Sequence, residues 1–120
     1  MTEIEALFAP LGGWVVQIID LSAPADDNVT EEVKGFVTLM QANEFARRYV
    51  RDSLELCRLA GLSAADIVAS WMNFGEDAVV KDAGEGGFKS VPEIGNWAKF
   101  KCSAEDRDWR VLDPRKLASD

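Results

Sequence analysis

The feature that most constrains this chain is Thr38 to Gly61, TLMQANEFARRYVRDSLELCRLAG. No proline and no glycine interrupts it before its last residue, and strong helix formers fill it. Thr38 precedes Gln41 by three, the spacing of a capping box in which each side chain satisfies the other residue's free amide. Gly61 stands where a helix commonly leaves through a left-handed residue. The stretch predicts a helix over 39–60, roughly 30 Å long at 1.5 Å per residue. Its apolar positions, Ala42, Phe45, Ala46, Tyr49, Val50, Ser53, Leu56, Cys57 and Ala60, form a stripe wide enough to cover a sheet. The opposite side carries Glu44, Arg47, Arg48, Arg51, Asp52, Glu55 and Arg58, with Glu44–Arg48 and Arg51–Glu55 spaced to pair. That side reads either as a solvated face of mixed charge or as a basic strip, Arg47, Arg51 and Arg58, that docks an acidic surface or a small anion.

A strand must meet that stripe, and Trp14 to Leu21, WVVQIIDL, is the best one. Trp14, Val16 and Ile18 go to one face and Val15, Ile19 and Leu21 to the other. A strand apolar on both faces is expected to be buried on both. The long helix covers one side, leaving the other for further helices or a second molecule.

Around this pair the remaining signals fall into order. Thr2 and Glu5 open a short helix over residues 2–9, ended by Pro10 and Gly12-Gly13. Residues 22–30 are a polar loop, and Val33 to Val37 a second strand, antiparallel to the first, with Gly35 marking a bulge. Ser63 starts a helix whose apolar side is Ile67, Val68, Trp71, Met72 and Phe74, ended by Gly75. Asp77 to Lys81 is a third strand, followed by a flexible turn, DAGEGG, read as a turn or lid. Ser90 and Glu93 have capping-box spacing, with Pro92 in the first helical turn. The last helix starts there and presents Ile94, Trp97, Ala98 and Cys102. A rival reading makes Trp97–Cys102 and Trp109–Leu112 a hairpin. Pro114 ends regular structure. The fold expected is α+β: a small, mostly antiparallel sheet of about three strands with three principal helices, in the order (short α)-β-β-α-α-β-α. It forms a single domain over 1–120 with loose ends at about 1–10 and 114–120.

Chemistry is limited first by what is missing. The chain has no histidine, so no imidazole base, Ser-His or Cys-His pair, or histidine metal ligand can form. Cys57 falls in the apolar stripe, and with Cys102 reads as a reduced packing residue. The carboxylate clusters Asp26-Asp27, Glu76-Asp77 and Asp82 with Glu85 lack the alternating pattern of a calcium loop. Glu85 would repel a phosphate in DAGEGG. No cofactor and no metal are expected. A net charge of −8 opposes nucleic-acid binding, and no apolar run is long enough for a membrane. The expected location is the cytoplasm.

Among the four tryptophans, Trp109 lies between Asp108 and Arg110 and is the one read as exposed, an interface anchor with its arginine. The sequence therefore points to a non-enzymatic protein-protein interaction module, an accessory, adaptor or inhibitor protein binding another protein or a second copy of itself. Its candidate binding residues are Arg47, Arg51, Arg58, Trp109 and Arg110. A small anionic-ligand-binding protein using the arginine face of helix 39–60 is the alternative. A carboxylate-based or metal-dependent enzyme is the third reading.

Overall fold

The structure, a computed structural model, describes residues 10–118. The helix expected over 2–9 lies outside these. Strand β1 (Trp14–Asp20) is central in a three-stranded antiparallel sheet, between β2 (Val29–Phe36) and β3 (Glu76–Val80). Three main helices complete the α+β fold: α1 (Leu39–Leu56), α2 (Ala64–Phe74) and α3 (Val91–Lys99).

β1 sends Trp14, Val16 and Ile18 into the core, where they meet Ala42, Phe45, Ala46, Val50 and Leu54 of α1. The Thr38–Gln41 capping box forms as the spacing requires. Gly35 adopts φ +96° where β2 carries an extra residue between its pairings with Trp14 and Val16. The chain crosses there closely: a Cβ on Gly13 would lie 2.9 Å from the Phe36 carbonyl oxygen.

The other face of β1 departs from expectation. Val15, Ile19 and Leu21 are only half-buried, and their neighbour Val79 is exposed. The reason is polar: Gln17, between Val15 and Ile19, donates to Glu32 at 2.9 Å, and Lys81 approaches Glu32 at 3.8 Å. That ladder lets this face meet water.

Several boundaries also move. β2 begins at Val29, not Val33, because only Val33 and Phe36 of this edge strand are buried and its first half has no apolar alternation. α1 ends at Leu56 with Cys57 as its cap, five residues before the glycine. Gly61, at φ +87°, serves the following turn instead. Ser90 is the N-cap of α3 but its hydroxyl makes no capping bond; it bonds Asp77 instead. The α3 helix does form, and Arg110–Leu112 is a single 3-10 turn, not the second strand of a hairpin; Glu105–Arg107 is another such turn. Pro114 starts a last helical turn, α4 (Pro114–Ala118), which packs on β2. A proline suits that first position because its missing amide is not needed. DAGEGG is pinned, not a lid: Asn43 donates to the Gly86 carbonyl and accepts from the Phe88 amide, each at 2.8 Å.

Candidate interaction surface

The arginine side of α1 is covered by the chain's own later residues. The rings of Phe88 and Trp97 stack 6.1 Å apart. The Arg47 guanidinium lies over Phe88 at 5.4 Å and that of Arg51 over Trp97 at 5.0 Å. Such contacts stabilise by about 0.5–1 kcal/mol each at partly exposed sites. Arg48 takes Glu44 at 3.0 Å, as its spacing predicts, and also donates to the Asp108 carbonyl at 3.2 Å. Arg58 donates twice to Glu55, at 2.9 and 2.8 Å, displacing the expected Arg51–Glu55 pair. Its remaining donors reach the carbonyls of Ala98 at 2.9 Å and Trp97 at 3.1 Å, closing the last turn of α3. α1 is thus a middle layer, with the sheet on one side and α3 with the C-terminal turns on the other.

Trp109 belongs to that covering layer. Its indole is half-buried against Phe45 and Tyr49, with centroids 5.7 and 5.0 Å away. Its Nε1 donates to Asp52 at 3.0 Å, and Arg107 donates to the same carboxylate at 2.7 Å. This corrects the reading of Trp109 as an exposed anchor: an indole needs one acceptor when buried, and Asp52 supplies it. Arg110 is exposed, its guanidinium 4.4 Å from the Trp109 ring centroid. Of the five residues the sequence singles out, the structure joins Trp109 to Arg110, and sets Arg47, Arg51 and Arg58 against Phe88 and α3.

What the sequence reading misses is apolar. Leu56 is 72% exposed, Leu59 66% and Phe74 76%. Together with Ser53, Cys57, Ser70, Gly75 and Glu76 they line a groove of about 320 Å³ between α1 and α2. Leu59 also borders a second cleft of about 490 Å³ with Leu62, Ile67, Arg58, Lys101 and Arg107. Leu56 and Phe74, both expected on inward faces, are thrown outward by the early end of α1 and by the position of Phe74 as the last residue of α2. A signal exists: six of the nine residues 54–62 are apolar, more than one helical face can bury.

The groove floor is polar and well bonded. Glu76 accepts from the Tyr49 hydroxyl at 3.0 Å, and its amide donates to Ser53 Oγ at 2.8 Å. Burial, then the Glu76 charge, pushes the Tyr49 hydroxyl far above its ordinary pKa, so it remains a donor. The flanking bonds Lys81 N to Val15 O and Leu21 N to Gly75 O turn the backbone of Glu76 and Ala78 away from β1. Side chains satisfy that outer edge: Ser53 takes the Glu76 amide, Trp71 Nε1 donates to the Glu76 carbonyl at 3.1 Å, and Asp77 takes the Ala78 amide at 2.8 Å. Burial raises the Asp77 carboxyl above its usual value. Burial likewise raises the Cys102 thiol, the opposite of what a reactive thiolate needs. Among the described residues no group of three or more acidic or cysteine side chains is placed to share a metal ion, and no helix is long and apolar enough to cross a membrane. Comparison with known proteins finds no matching family model, curated protein or solved structure.

Proposed function

We propose that this protein is a non-enzymatic interaction module that docks another protein or a second copy of itself through the surface formed by Leu56, Leu59, Leu62 and Phe74. The observation that carries the reading is that three large apolar side chains stand more than 60% exposed around one groove. Isolated exposed leucines are ordinary, but a contiguous apolar surface around a concavity marks a docking site. Burying Leu56, Leu59 and Phe74 would contribute about 1.5–3 kcal/mol each. Set against an association cost of about 4–15 kcal/mol, that supports weak, reversible binding. The small-anion reading has less support, because Arg47, Arg51 and Arg58 are engaged with Glu44, Phe88, Trp97, Glu55 and the end of α3.

A photo-cross-linking phenylalanine analogue placed at position 59 tests the reading, with position 29 on the sheet edge as control, in extract of the source cells. Adducts formed at 59, absent at 29 and lost on adding Phe74→Asp are expected. The same adducts at both positions would refute it.

A further inference from the structure

We infer that the occupant of this surface is the segment Thr2–Ala9 of a second copy, exchanged reciprocally in a two-fold dimer; the inference rests on the interaction surface proposed above. The segment reads TEIEALFA, two carboxylates, Glu3 and Glu5, set among Ile4, Leu7 and Phe8. Its chemistry complements the two adjoining concavities. The groove offers Leu56, Leu59 and Phe74 to apolar side chains. The cleft beside it is lined by Arg58, Lys101 and Arg107, of which Arg58 is taken by Glu55 and Arg107 by Asp52. Among the described residues Lys101 has no ion pair, so a cation lines the cleft that adjoins the apolar groove on a chain of net charge −8.

Reach decides between the chain's own groove and a neighbour's. Gly13 lies against the Phe36 backbone, two residues before the cap of α1, so the segment joins the body at the N-terminal end of that helix. The groove lies at the other end. The 18 residues of α1 separate the two by about 27 Å at 1.5 Å per residue. From Pro10, Phe8 reaches only about 7 Å and Ile4 about 20 Å, even fully extended. The apolar side chains of the segment therefore fall short of its own groove. A second copy related by a two-fold axis, its α1 running antiparallel, can bring its groove alongside. The same patch then serves both copies, which closes the assembly at two.

The experiment is sedimentation velocity on the full chain from about 1 to 500 µM, with two variants chosen to break opposite halves of each joint. Phe8→Asp disables the segment and leaves the groove; Leu59→Asp disables the groove and leaves the segment. Leu59 lies outside the core cluster, and far-ultraviolet circular dichroism checks that each variant folds. The wild type is expected to dimerise, and each variant to do so at least about tenfold more weakly. A 1:1 mixture of the two, which restores one joint of the two, is expected to recover dimer above either variant alone. A wild type that stays monomeric throughout overturns the inference, while leaving the docking surface open to a different partner. So does a Phe8→Asp dimer as tight as the wild type's. If Leu59→Asp and Phe74→Asp also leave dimer and cross-linking unchanged, the docking surface itself is wrong.

Discussion

Arg58 offers the sharpest test of how this fold is held, because a sequence reading makes it a surface cation and the structure makes it a joint. The Glu55 side chain is 2% exposed, and Arg58 is its ion-pair partner, bound through two bonds of 2.9 and 2.8 Å. Removing one partner of a buried pair costs about 3–5 kcal/mol, since the remaining charge is stranded. Arg58 is itself 20% exposed, so water can partly replace it, and the lower end, about 3 kcal/mol, is the expected cost of Arg58→Met. Two of its donors also close α3 at the carbonyls of Ala98 and Trp97. That share, about 1 kcal/mol, should remain when Glu55 is already Gln. Urea unfolding of wild type, Arg58→Met, Glu55→Gln and the double variant measures both parts. The expected result is a cost near 3 kcal/mol in the wild-type background and near 1 kcal/mol in the Gln background, a coupling of about 2 kcal/mol. A cost under about 0.5 kcal/mol in both backgrounds, the level of an exposed pair, would refute the joint.

Three further outcomes follow from particular contacts. Asp52→Ala removes the acceptor of both the Trp109 indole and Arg107; about 2 kcal/mol of stability should be lost, with a red shift of tryptophan fluorescence that an intact Trp109 environment would not show. Gly75→Ala places a Cβ 2.4 Å from Trp71 Cδ1, so the indole must leave the Glu76 carbonyl; thermal unfolding should show a loss of about 2 kcal/mol or more, and a neutral result would mean α2 ends differently. Burial raises the Asp77 carboxyl in the folded state, so its contribution to stability is fully present below the ordinary carboxylate pKa and is lost as pH rises through the raised value. Asp77→Asn should therefore gain stability relative to wild type at neutral pH, and the gain should vanish in acid; a gain independent of pH would refute the assignment.

How much of this was legible follows from which forces act locally. The Thr38 cap, the Ser63 start, the Gly35 bulge and the apolar run of β1 are set by residues within a turn or a strand, and they read directly. The fate of the arginines was not local. Nothing within seven residues of Arg51 says that Trp97 will lie beneath its guanidinium, or that Phe88 will stack on Trp97. Arg58 shows the same limit from the other side: its spacing from Glu55 is visible, but the carbonyls it closes lie about forty residues away in α3. The sequence reading places Leu56 inward because it extends the helix to Gly61. Ending α1 at Leu56 turns the following leucines onto a different surface.

The layering of α1 also bears on why the groove is best read as a docking surface and not as a residue of imperfect folding. With the sheet on one side and Phe88, Trp97 and Trp109 on the other, α1 has little apolar surface left except at its two ends, Met40 at the first and Leu56 at the last. The same region shows how an unwanted contact is closed in this protein. Of the outer backbone of β3, a natural template for strand addition, the amide and carbonyl of Glu76 and the amide of Ala78 are taken by Ser53, Trp71 and Asp77. Ser53 lies on the groove floor and Leu56 on its rim, one helical turn apart. A polar side chain at Leu56 or Phe74 would cost the fold little, since neither belongs to the core cluster. The polar position seals an edge and the apolar ones stay open to solvent, an arrangement that stability alone does not require and that a partner fitting the groove would.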